Sequence, residues 1–172
     1  MSTLALFLPL YFTLAALFLS AIEISLFPSL GIPAICTPNL NLALITFLAS
    51  CSFGWRPLLA AFGVSVAAAL YNSSPGIIQP GLMLFIFFAG SRLNQTIFMN
   101  NIFPQALFAG CSSLLMTIML GVLATPQPPL GATIIVACGC ALTTTLFTIP
   151  ILSYLNALQE CFQPLNHDVI TS

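Results

Sequence analysis

Glu23 is the one acidic residue inside any long apolar run of this 172-residue chain. A carboxylate at membrane depth is a functional hypothesis by default, because it must pair, reach the interface or serve an ion pathway. Its place in the outer third of the first run lets it snorkel or meet a polar neighbour. Ion or proton transfer would need further stepping stones. The other charged residues, Arg56, Arg92, Glu160 and Asp168, fall in connections or in the terminal segment, as does the single histidine, His167. Nucleophilic catalysis needs a base beside the nucleophile; the serines lack a G-x-S-x-G turn, and no glycine-rich phosphate loop occurs. The six cysteines include no C-x-x-C pair. Cys51, Cys111, Cys138, Cys140 and Cys161 lie in or beside apolar runs, where a thiol packs as a small hydrophobe. The expectation is a non-enzymatic protein with no cofactor and no metal site.

Composition sets the frame in which Glu23 is held. Only 3% of residues are charged and 59% are hydrophobic, with mean hydropathy +1.11. A soluble domain carries roughly 25% charged residues, so lipid is the solvent that suits this surface. Without a basic tail or patch, nucleic acid is not an expected partner. Crossing the hydrocarbon takes roughly 20 apolar residues in a helix. Six apolar runs occur, at 4–27, 40–53, 58–71, 77–89, 106–123 and 132–155. The first lacks a basic start and an A-x-A site, and reads as a retained helix rather than a signal peptide. The second is short, which fits a tilted helix or a re-entrant segment. Gly54-Trp55-Arg56-Pro57 reads as an interfacial turn, with Trp55, Arg56 and Arg92 as anchors. Gln79-Pro80-Gly81 interrupts the fourth run, residues 91–105 read as a polar connection, and Pro150 should kink the sixth. The fold class is all-α, a polytopic transmembrane bundle of about six helices over 1–158, followed by a short cytoplasmic tail, 159–172.

With six spans, Arg56 and Arg92 share one side, which the positive-inside rule makes cytoplasmic together with both termini. Small residues recur at every fourth position: Ala61, Ser65 and Ala69 in the third run; Ala109, Ser113, Thr117 and Gly121 in the fifth; Thr133, Ala137, Ala141 and Thr145 in the sixth. Such stripes let backbones approach closely and let hydroxyls bond across helices. They point to a packed centre of helices three, five and six. The bulky fourth run looks outward, and Met83, Phe87 and Gly90 mark a candidate face for lipid or a partner.

Several segments resemble the MreD family, the small membrane subunit of the bacterial rod-shape system. TPNLNLALITFLA, Thr37 to Ala49, is similar to the family's lead-in to its second segment. GVSVAAALYNSSPGIIQPGL, Gly63 to Leu82, resembles the third helix and its turn, and NNIFPQALFAGCSSLL, Asn100 to Leu115, the loop into helix five. ALTTTLFTIPILSYLNAL, Ala141 to Leu158, resembles the last helix. The chain departs from the pattern at Tyr71, where many members carry aspartate, and in its sparse basic flanks. The resemblance implies an inner-membrane scaffold of bacterial cells. It would bind an MreC-like bitopic protein and help couple cytoskeletal filaments to cell-wall synthesis. The family's fold also resembles the vitamin-capture subunits of energy-coupling-factor transporters, which makes substrate capture a rival function. A third reading is an accessory subunit of a larger energy-transducing membrane complex.

Overall fold

Prolines set where three of the helices begin. In a computed structural model describing residues 8–29, 31, 37–51, 54–71, 78–96, 101–124 and 128–162, the chain forms six helices. These are α1 (Leu8–Ser29), α2 (Leu40–Ser50), α3 (Trp55–Tyr71), α4 (Ile78–Thr96), α5 (Ile102–Leu123) and α6 (Leu130–Phe162). Pro57, Pro80 and Pro104 each occupy the third position of their helix. In the first turn the backbone N–H has no intrahelical partner, so a residue without one costs nothing there. The expected turn at Trp55–Pro57 is therefore the opening of α3, closed by Leu58 N–H on the Gly54 carbonyl at 3.3 Å. The break expected at Gln79–Gly81 is likewise the opening of α4. That helix then runs on through Ser91–Thr96, expected as a loop. α6 continues through Pro150 to Phe162, beyond the expected span.

Consecutive helices alternate in direction. Phe12 of α1 stacks on Phe47 of α2 with centroids 5.9 Å apart, while Glu23 meets the start of α2, so the two run antiparallel. The α4 side chain of Asn94 bonds the Ser50 carbonyl at 2.9 Å, bringing the C-termini of α2 and α4 together. Thr133 lies against Gly121 and Thr145 against Gly110, so α5 and α6 are antiparallel neighbours along most of α5. This up-and-down order puts Arg56, Arg92, the start of α1 and the end of α6 at one end of the bundle. Three helical segments, Pro9–Ser29, Ile102–Leu123 and Leu130–Leu158, are long and apolar enough to cross a membrane.

The centre of the bundle is α2, which corrects the expected core of helices three, five and six. α2 has 11 residues, about 16 Å at 1.5 Å per residue, roughly half the 30 Å of a bilayer core. Every residue from Leu40 to Ala49 is buried, and all five other helices touch it. α5 and α6 do pack intimately, but α3 lies chiefly on α1, α2 and α4. The candidate outward face of α4 also turns inward. Met83 and Phe87 are 0% exposed, and Gly90 is buried between Phe108 of α5 and Ala49 of α2. The outward side of α4 carries Phe85, 62% exposed, and Phe88. In lipid the inside and the outside of a bundle are equally apolar, so bulk alone does not tell them apart.

Candidate functional site

A helix that starts inside a protein at membrane depth brings backbone N–H groups that water cannot satisfy. α2 starts inside the bundle, since α1 continues for six residues past Glu23, about 9 Å of further rise. Its N-cap residue, Asn39, makes no side-chain capping bond. The neighbours cap it instead. The Leu40 N–H donates to Glu23 Oε1, and the Asn41 N–H also donates to this carboxylate. The Asn39 N–H donates to Thr144 Oγ1 of α6 at 2.9 Å, and Leu42 N–H to the Asn39 carbonyl at 3.2 Å. Each orphan donor of the first turn thus has an acceptor.

A second layer holds those acceptors. Thr144 Oγ1 donates to Ser113 Oγ of α5 at 3.2 Å, and Asn39 Nδ2 lies 3.7 Å from Met116 Sδ. Asn41 Nδ2 donates to Ser20 Oγ of α1 at 2.9 Å. Three helices, α1, α5 and α6, therefore converge on the start of α2, Ser20, Glu23, Ser113 and Thr144 meeting Asn39 and Asn41 there. At the other end of α2, Ser50 Oγ donates to the Phe47 carbonyl at 2.7 Å, and Asn94 takes the Ser50 carbonyl. A half-length helix is clamped at both ends by side chains from elsewhere.

Of the residues singled out in the sequence, Glu23 and Ser113 belong to this hub. Most stripe positions serve packing. Ala61, Ser65, Ala109, Ser113 and Ala137 are buried, and Ala69, Thr117, Gly121, Thr133, Ala141 and Thr145 are partly buried. The stripe hydroxyls mostly bond back to their own helix, Ser65 to the Ala61 carbonyl at 2.7 Å, Thr117 to Ser113 and Thr145 to Ala141 at 2.8 Å each. This corrects the expectation of cross-helix bonding, because an i−4 carbonyl is the nearest acceptor in a helix. Only Ser113, through Thr144, reaches another helix. Arg56 stacks on Trp55, with the guanidinium 5.4 Å from the ring centroid, and Arg92 is exposed. Among the described cysteines, Cys140 is buried, Cys51 partly so, and Cys111 and Cys138 are exposed. No group of three or more His, Cys, Asp or Glu side chains suited to a metal occurs among the described residues.

Asn39, Asn41, Ser20 and Thr144 escaped the sequence reading. The visible clue was a pair of asparagines opening an apolar run too short to span, which is how a buried helix start is written. Glu23→Ala removes the acceptor of two buried N–H groups, and we expect it to cost about 2–4 kcal/mol. Glu23→Gln keeps a carbonyl acceptor and should cost roughly half as much. Unfolding of both variants in mixed micelles checks the order; equal losses would show that the carboxylate does not cap α2.

The six helices form an all-α bundle, three of whose helices are by length and composition suited to crossing a bilayer, as in a helical membrane protein. No protein-family model, curated protein or solved structure matches the chain.

Proposed function

We propose that the protein is a non-enzymatic scaffold subunit of the bacterial inner membrane, MreD-like in role. It would hold a bitopic MreC-like protein and link cytoskeletal filaments to wall synthesis. The observation that carries this reading is the inward collection of polar groups around α2. The amides and hydroxyls described above are used in fixing the bundle, while its outside presents bulky apolar side chains such as Phe18, Phe62, Phe85 and Phe103. A rigid body of this kind is suited to packing against other helices by shape. The segment-by-segment resemblance to the MreD family supplies the choice of partner.

Arg56 and Arg92 share one end of the bundle, which supports placing that end and both termini in the cytoplasm under the positive-inside rule. Reporter fusions after Gln127 should give periplasmic activity and fusions at Ser172 cytoplasmic activity; the reverse at either site refutes this topology. Affinity purification in mild detergent should recover a bitopic MreC-like protein. Tryptophan at Phe85 or Phe88, on the outward side of α4, should reduce that recovery without lowering the melting temperature. Recovery of a redox complex or an ATPase pair instead would replace the rod-shape assignment. Stoichiometric binding of a vitamin by the isolated protein would replace the scaffold.

A further inference from the structure

We propose that Ser20, Glu23 and Asn41 bind a monovalent alkali cation beside the buried start of α2. The first ground is charge. Glu23 faces an N-terminus worth about half a positive charge, so if ionised it leaves roughly half a negative charge uncompensated. The arginines do not supply the remainder, because Arg56 and Arg92 lie near the C-terminal end of α2, separated from Glu23 by about 16 Å of helix. An unbalanced charge at this depth needs a partner.

The second ground is an unpaired acceptor. Asn41 is 1% exposed, and its Oδ1 has no hydrogen-bond partner. Its Nδ2 is fixed on Ser20 Oγ at 2.9 Å, and Ser20 lies three residues from Glu23, on the same face of α1. The backbone N–H of Asn41 also meets the Glu23 carboxylate. Asn41 thus belongs to the same cluster as the hydroxyl and the carboxylate through its Nδ2 and its backbone N–H. One carboxylate with neutral amide and hydroxyl oxygens is a hard, oxygen-only donor set. A single positive charge takes the site from about half a unit negative to about half a unit positive, whereas a divalent ion would leave about one and a half charges in excess. The proposal does not depend on the scaffold reading.

The test uses the full chain in detergent micelles at fixed pH and ionic strength, with choline chloride exchanged stepwise for sodium chloride. The melting temperature should rise with sodium and saturate. Asn41→Ser and Ser20→Ala should each shift the half-saturating concentration upward by about tenfold, the effect of one lost ligand. Glu23→Gln, which keeps an acceptor for α2, should melt identically in sodium and choline. If that variant does not fold, Ser20→Ala alone carries the comparison, and an unchanged half-saturation refutes the site. Indistinguishable melting of the wild type in the two salts overturns the proposal. So does a wild-type melting temperature that responds to acidification but not to sodium, which would assign a proton in place of the cation.

Discussion

Gly110→Leu is expected to abolish the folded bundle, while Gly81→Leu leaves it intact. A Cβ at position 110 would overlap Thr145 Oγ1 and lie 3.0 Å from the Ala141 carbonyl oxygen. The threonine has little room to turn, because its hydroxyl is bonded to that same carbonyl at 2.8 Å. The carbonyl belongs to the α6 backbone, so relief requires α5 and α6 to move apart. These two helices form the most extensive pair in the bundle. In lipid their association rests on close fit, and separation forfeits it. Overpacking of this kind costs about 1–3 kcal/mol where a core can adjust, and more where backbones must part. Position 81 has nothing within 4 Å of its Cβ, so the same side chain there meets open space. Yield of monodisperse protein and melting temperature distinguish the two variants. A Gly110→Leu protein that melts with the wild type would mean that α5 and α6 are not in this contact.

Phe87→Ala should destabilise the protein strongly, and Phe85→Ala scarcely at all. The two residues are half a turn apart on α4, but Phe87 is 0% exposed and Phe85 62%. In a membrane the water-to-lipid transfer gain has already been made before helices pack, so the cost of truncation is mainly the void. At about 24 cal/mol per Å³, a void of roughly 100 Å³ costs about 2.4 kcal/mol. Unfolding in mixed micelles should place Phe87→Ala near that value. Equal effects at the two positions would contradict the orientation of α4. The same pair separates packing from recognition, since only Phe85 is placed to affect a partner.

The helical class and the number of elements were legible because long apolar runs separated by proline-rich connections have few other solutions in lipid. Glu23 also stood out, being the one acidic residue within an apolar run. Its role did not, because the groups it serves are backbone amides of Leu40 and Asn41, which carry no mark in a sequence. The inward face of α4 was misjudged for a related reason: Met83 and Phe87 are as apolar as Phe85 and Phe88, and hydropathy does not distinguish lipid from protein. The first-turn prolines were read as breaks because a proline ends a helix from within but opens one from its first turn. Pro57, Pro80 and Pro104 do the second. The small stripes of α5 and α6 face each other, as Gly121 on Thr133 shows, whereas the stripe of α3 does not join them, and α2, with Leu, Ile and Phe on all sides, shows no stripe. A helix buried on every face has no periodicity to read.

The enclosure of α2 has a consequence for biogenesis. Its Asn39 amide is satisfied by Thr144, 105 residues later in the chain. At about 5–20 residues per second, synthesis delivers that acceptor roughly 5–20 seconds after α2 has left the ribosome. Glu23 is available at once, but the walls contributed by α4, α5 and α6 are not. During that interval α2, too short to cross the bilayer on its own, lacks the acceptor that its Asn39 N–H finds in the folded bundle.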